Sequence, residues 1–74
     1  MTIRQALDIA ARKLSAAGVD SPLLDARLLL ADLLDTPYLQ LLTAQDTPLA
    51  ADVLARFFAL VFRRAMREPL QYIL

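Results

Sequence analysis

The sequence contains no cysteine and no histidine, and only one glycine among its 74 residues. Without cysteine, neither a disulfide nor a thiolate metal site can stabilise so short a chain. Without histidine, the chain lacks the side chain that most often acts as a general base near neutral pH and as a metal ligand. Apolar packing must therefore hold the fold together, and no catalytic residue or metal ligand is predicted.

The sequence also lacks an excess of either charge and has no long apolar run. Eight basic and eight acidic residues cancel, so the chain does not have the basic surface typical of nucleic-acid binding. The longest uninterrupted apolar run, 57–62, is far too short to cross a bilayer. Asp8, Arg12 and Lys13 interrupt the segment in which a secretory signal would need apolar residues. These observations predict a cytoplasmic protein with no direct contact to nucleic acid or membrane.

Hydrophobic residues are abundant instead, at 58% of the chain. A small domain has proportionally more surface than a large one, so it should carry fewer apolar residues than average. Two interpretations remain open. Part of the apolar surface is covered by another domain, or many of the alanines are simply good helix formers that tolerate any position.

The spacing of prolines, hydroxyl residues and glycine predicts where helices begin and end. Thr2 suits an N-cap, and Gly18 suits the left-handed position that ends a helix. Three Ser/Thr-Pro pairs suit helix starts with the hydroxyl as cap and proline at the first helical position, and Pro69 can open a further short helix. Between these signals the apolar residues recur at helical spacing. The predicted helices run from Thr2 to Ala17, Pro22 to Leu34, 37 to 43, Thr47 to about Arg67, and on from Pro69. The sequence thus predicts one all-α domain over 1–74, a compact bundle of four to five helices.

Two groups of charged residues are candidate sites. Asp25 and Asp32 lie seven apart on the second helix, a spacing that would suit a metal or an acid–base pair, but Asp25 also suits the helix dipole in a first turn. We favour the structural interpretation, because catalytic carboxylates need a cleft and shifted pKa values. The second group is four arginines, more than helix capping needs, which make the second half of the fourth helix basic and either form a solvated face or face a partner: Arg56, Arg63, Arg64 and Arg67. Glu68 is expected to pair with Arg64.

Two segments resemble a known family. Arg63-Arg64-x-x-Arg67-Glu68-Pro69-Leu70-Gln71-Tyr72-Ile73-Leu74 resembles the join between the two domains of the HemK/PrmC proteins. Ser21-Pro22-x-x-Asp25-Ala26 resembles the Ser-Pro-x-x-Asp-Ala segment of the same family. The family comprises S-adenosylmethionine-dependent methyltransferases that modify a glutamine side-chain nitrogen of peptide chain release factors. Arg67 stands where a glycine is common in that family.

The resemblance implies that the chain is the helical N-terminal substrate-recognition domain of such an enzyme. The catalytic domain, with its cofactor loop and Asn-Pro-Pro-Tyr motif, would lie further along and is absent, so no cofactor-binding residue is carried over and the chain alone should be inactive. The implied partners are a release factor and the missing domain, and the implied contact residues are Arg63, Arg64, Glu68 and Tyr72. The alternative is an independent helical protein–protein interaction module.

Overall fold

Five helices form all of the regular secondary structure in the computed structural model, which describes residues 1–74. They are α1 (Ile3–Ala16), α2 (Pro22–Leu33), α3 (Tyr38–Thr43), α4 (Ala51–Ala65) and α5 (Leu70–Ile73). The prediction of an all-α bundle of four to five helices is confirmed. None of the helices combines the length and the apolar character that a membrane crossing requires.

The core lies between α1, α2 and α4, which contact one another in all three pairings, while α3 packs on α2 and α5 on α4. Phe57 is the largest fully buried side chain, and Leu41 brings α3 into the same cluster. The Cα radius of gyration is 11.1 Å, which matches the value of about 11 Å expected for a folded chain of this length. The helical spacing predicted for α1 is confirmed by its buried face: Ile3, Ala6, Leu7, Ala10 and Leu14.

The predicted helix starts are partly confirmed. Thr2 caps α1 as expected, because its hydroxyl accepts from the backbone N–H of Gln5 at 3.2 Å and the Gln5 side chain accepts from the Thr2 N–H at 2.8 Å. Pro22 occupies the first turn of α2, although Ser21 makes no side-chain cap bond. Pro37 is itself the N-cap of α3 rather than its first helical residue. Pro69 likewise precedes the short helix α5.

The prediction that α4 begins at Thr47 is wrong, since the helix begins at Ala51. The backbone of residues 45–49 runs instead beside the start of α1. The Thr47 carbonyl accepts from the Ile3 N–H at 3.0 Å, and the Leu49 N–H donates to the Met1 carbonyl at 2.9 Å. The first N–H groups of a helix have no partner within it. The 45–49 segment therefore supplies acceptors to α1, and its proline cannot also start α4.

The three long helices end in the same way, with one residue in the left-handed region. These residues are Gly18 (φ +85°), Asp35 (φ +52°) and Arg67 (φ +68°). In each case the following N–H donates back across the last turn, which defines a Schellman motif. The three bonds are Val19 N–H to the Leu14 carbonyl, Thr36 N–H to the Ala31 carbonyl and Glu68 N–H to the Arg63 carbonyl, at 3.0, 2.9 and 3.3 Å. Because Arg67 is left-handed, α4 ends at Ala65, slightly before the predicted end at about Arg67.

Asp35→Gly should raise the free energy of unfolding by about 0.5–1 kcal/mol. Glycine adopts a positive φ without steric cost, and the change removes a negative charge from the negative end of the α2 dipole. A matched Ala59→Gly change, on the exposed face of α4, should lower it by about 1 kcal/mol. Urea unfolding of the two variants and the wild type measures both effects. Destabilisation by Asp35→Gly would contradict the assignment of a left-handed cap.

Candidate functional site

All four predicted contact residues belong to one hydrogen-bond network at the α4–α5 junction, defined here as residues 63–72. The Arg63 guanidinium binds the Glu68 carboxylate through two hydrogen bonds, Nε to Oε2 at 2.9 Å and Nη2 to Oε1 at 2.6 Å. Nη2 also lies 3.5 Å from the Tyr72 carbonyl oxygen. The expected pairing of Glu68 with Arg64 is wrong. Because the chain leaves the helix at Met66, Glu68 no longer follows helical spacing and folds back onto Arg63.

The Arg63–Glu68 pair lies at the surface, and it keeps both groups charged. The hydrogen bond from Arg63 lowers the pKa of Glu68, against a smaller opposing effect of desolvation. The same bond raises the pKa of Arg63. Ion pairs this exposed contribute little to overall stability. The pair therefore acts locally, by holding the turn between α4 and α5.

Arg64 has a different environment from its neighbour. Its Nε donates to Asp25 Oδ2 at 2.9 Å, and its Nη1 donates to the Glu68 carbonyl at 3.1 Å. The side chains of Arg64 and Asp25 are only 21% and 12% exposed. Arg64 thus joins α4 to α2, and Asp25 is the acceptor of a largely buried ion pair. Asp32, the other carboxylate of the spacing noted in the sequence, is exposed, and no group of three potential metal ligands is present.

The side chain of Arg67 joins the end of α4 to the end of α1. Its Nη1 donates to the carbonyl of Ala17, the C-cap residue of α1, at 3.2 Å. The ends of α4 and α1 are therefore linked by one guanidinium. Of the four arginines in the basic group, three bond to other parts of the fold and only Arg56 makes neither an ion pair nor a hydrogen bond. The exposed edge of Arg63 fits both alternatives raised by the sequence, a solvated face and a partner contact.

Large apolar side chains are exposed beside this junction. Tyr72 is 71% exposed, Leu74 is exposed, and Met66 is exposed at the end of α4. Phe62, which belongs to the apolar run 57–62, is 64% exposed, so this run is not buried along its whole length. Consecutive residues point to all sides of a helix, so α4 cannot bury the whole apolar run against the core. Phe57 and Val61 occupy the inward positions. The sequence therefore missed an apolar surface on the outer side of α4.

Two concave surfaces are present. The larger, about 480 Å³, is lined by Asp32 and Asp35, by apolar residues of α2 and by Leu74. The smaller, about 290 Å³, lies between α1 and α4 and is lined by Lys13, Phe58, Val61, Phe62 and Ala65. We call the smaller one the α1/α4 groove. Sequence reasoning identified neither surface, because each combines residues from different parts of the chain.

Arg64→Ala should lower the free energy of unfolding by about 2–3 kcal/mol, because it leaves the buried Asp25 carboxylate without a partner. The exposed pair Arg12–Asp8 provides the control, and Arg12→Ala should cost less than about 1 kcal/mol. Chemical denaturation of both variants measures the contrast. Combining Asp25→Ala with Arg64→Ala should cost less than the sum of the single changes. Equal losses from Arg64→Ala and Arg12→Ala would contradict a structural role for the Asp25–Arg64 pair.

Glu68 should make a pH-dependent contribution to stability. Its pKa is lower in the folded than in the unfolded chain. The stabilisation is therefore complete above the ordinary pKa of about 4.3 and is lost as the pH falls through the lower folded value. Thermal unfolding of wild type and Glu68→Gln between pH 7 and pH 3 should show a difference that shrinks below about pH 4.3. A difference that stays constant over that range would contradict the pairing with Arg63.

The chain is similar to known proteins over nearly its whole length. Residues 5–74 match the family model described as the PrmC N-terminal domain. The chain is 41% identical to the release factor glutamine methyltransferase of Moorella thermoacetica, 43% to that of Vibrio cholerae and 48% to that of Corynebacterium glutamicum. These alignments cover 99%, 100% and 100% of the chain but 26%, 26% and 25% of the respective relatives. No solved structure gives a significant match.

The matched range runs from the first turn of α1 through α5, so it includes every part of the α4–α5 junction. The chain spans about a quarter of the length of the curated relatives it matches. The resemblance expected from the sequence is confirmed. The chain belongs to the PrmC N-terminal domain family, the helical N-terminal domain of release factor glutamine methyltransferases.

Proposed function

We propose that this chain is the substrate-recognition domain of an S-adenosylmethionine-dependent protein-(glutamine-N5) methyltransferase that acts on peptide chain release factors. The observation that carries the proposal is the similarity of the whole chain to part of each of several enzymes named for that activity. The remaining three-quarters of such an enzyme would hold the catalytic domain. An enzyme of this kind would work in the cytoplasm, on a partner of the translation machinery.

The residues of this chain do not fit a cofactor site. The single glycine, Gly18, ends α1, and a Cβ placed on it would meet the Arg67 guanidinium at 3.2 Å. No glycine-rich loop is available to approach a nucleoside, and the Arg67 guanidinium beside Gly18 already donates to the Ala17 carbonyl. S-adenosylmethionine would therefore be bound by the rest of the longer protein. The mechanism of this domain would be positional.

Positioning alone can make a large contribution to a group transfer. Holding two reactants in the correct orientation supplies several kcal/mol of the barrier, without a reacting group on the residues that hold them. A bundle whose α4, α5, α1 and α2 are joined by three arginines suits this role. The surface of the bundle would therefore keep a constant orientation relative to the catalytic domain of such an enzyme.

The α4–α5 junction is our proposed contact region. Tyr72 presents a largely exposed ring, and Arg63 and Glu68 present the outer edges of their ion pair. Arg64 would act through the junction, because its guanidinium holds the Glu68 carbonyl and is itself mostly buried. Contact with either the release factor or the catalytic domain would use the same exposed groups. Aromatic and arginine side chains are the types that most often dominate such interfaces.

The chain should bind a purified class 1 release factor in a salt-sensitive manner. Arg63→Ala should weaken binding about fivefold, because one charged contact at the edge of an interface is worth about 1 kcal/mol. The matched control is Arg12→Ala, which removes an exposed arginine on α1 and should leave affinity unchanged. Isothermal titration at low and raised salt measures both, and an assay with labelled cofactor should show no methyl transfer by the chain alone.

Two results would contradict the proposal. Methylation of a release factor by this chain alone would place the chemistry in the helical domain. Absence of any binding would favour the alternative of an independent helical interaction module, or a domain that serves only to pack against its catalytic neighbour.

A further inference from the structure

The α1/α4 groove is an apolar surface with a single charge. Lys13 comes from α1, and the other lining residues come from α4: Phe58, Val61, Phe62 and Ala65. We propose that this groove binds a large apolar side chain from an acidic segment of the protein substrate, with a carboxylate of that segment pairing with Lys13. The identity of the partner rests on the proposed function, whereas the chemistry of the ligand rests on the groove itself.

The apolar part of the groove is preformed. The ring of Phe58 packs against the fully buried Phe57, with ring centroids 5.3 Å apart and planes inclined by 49°. Phe58 is partly buried and packs against the hydrophobic core. Phe62 follows one turn later and Met66 another turn on, with exposed fractions of 64% and 68%. A fixed apolar floor with exposed apolar edges loses little entropy when a side chain fills it.

The positive charge of Lys13 favours a ligand with a negative charge. Lys13 makes no ion pair, although the adjacent Arg12 is paired with Asp8. Arg67, at the same end of α1, donates to a backbone carbonyl and has no carboxylate partner. Lys13 is the one charged residue lining the groove, and a ligand with a carboxylate would compensate it. Charge complementarity of this kind fixes the register of a partner more than it raises affinity.

Other occupants fit less well. A second copy packed groove to groove would bring two Lys13 side chains together, which is unfavourable. Nucleic acid needs a row of cations, and the groove has one. The larger concave surface shares no residue with the groove and carries Asp32 and Asp35, so it would repel the same ligand. An acidic segment with an exposed apolar side chain is the partner that the groove fits.

The volume of the groove sets the size of the ligand. At about 290 Å³ it lies at the lower end of the range for small-molecule sites, about 300–1,000 Å³. It has room for one aromatic or large aliphatic side chain and not for a folded element. One such side chain, seated at the centre of an interface, is the usual form of a dominant contact. Loss of the groove should therefore weaken binding at least about tenfold.

The first test uses anilinonaphthalene sulfonate, an apolar aromatic probe with one negative charge. Nuclear magnetic resonance of the labelled chain should show the largest shifts at Lys13 and Phe62, and both Lys13→Glu and Phe62→Ser should weaken probe binding at least about tenfold. Arg56→Glu repeats the charge change at an unpaired exposed site, and Leu39→Ser repeats the apolar loss at a residue 74% exposed. Both controls should bind the probe as the wild type does. Shifts elsewhere would overturn the groove as a site for this chemistry.

The second test titrates the same four variants, each checked for folding by circular dichroism, against a purified class 1 release factor. Weakening by Lys13→Glu and Phe62→Ser alone supports the proposal. Binding by the wild type and by all four variants alike overturns the groove while leaving the proposed function intact. No binding by the wild type overturns the proposed function and this partner together. Sedimentation showing a dimer that Phe62→Ser abolishes would assign the groove to a second copy instead.

Discussion

The ion pair between Asp25 and Arg64 joins the start of α2 to the end of α4, and together with the apolar contacts of Leu70 and Ile73 it sets the position of α5. The same guanidinium also holds the Glu68 carbonyl, so the turn into α5 is fixed to the core by way of α2. Replacing a buried pair by apolar residues is often neutral or stabilising, so stability alone does not explain its presence. Its value here is geometric, because apolar packing does not by itself specify the direction in which a four-residue helix leaves a bundle.

Local signals predicted those parts of the fold that are decided within one turn of helix. The spacing of Ile3, Leu7 and Leu14, the cap at Thr2 and the end at Gly18 each depend on near neighbours. The start of α4 could not be predicted in this way. Thr47 and Pro48 look like a cap, but their backbone pairs with residues more than forty positions earlier. A tertiary contact thus overrode a sound local pattern.

The candidate site shows the same division. The sequence identified Arg63, Arg64, Glu68 and Tyr72 as a group, and they do form a network. It paired Glu68 with the wrong arginine, because an arginine gives no sign of the left-handed conformation that Arg67 takes; the glycine common at this position in the family was the only sign. It missed the α1/α4 groove, which needs Lys13 and Phe62 from two helices at once. The one available local sign was the uninterrupted apolar run 57–62, because a helix cannot turn a whole run of consecutive residues toward one neighbour.

Arg67 has two roles: its left-handed backbone ends α4, and its side chain donates to the Ala17 carbonyl at the end of α1. The C-terminal ends of two helices meet there, so two negative dipole ends lie close together, and the guanidinium charge offsets both. A glycine would relieve the backbone but would remove the side chain that donates to the Ala17 carbonyl. Position 67 is therefore constrained by two opposing demands. A chain with glycine there would gain the easier backbone and lose the link between the two helix ends, so one residue balances local strain against the coupling of α1 to α4.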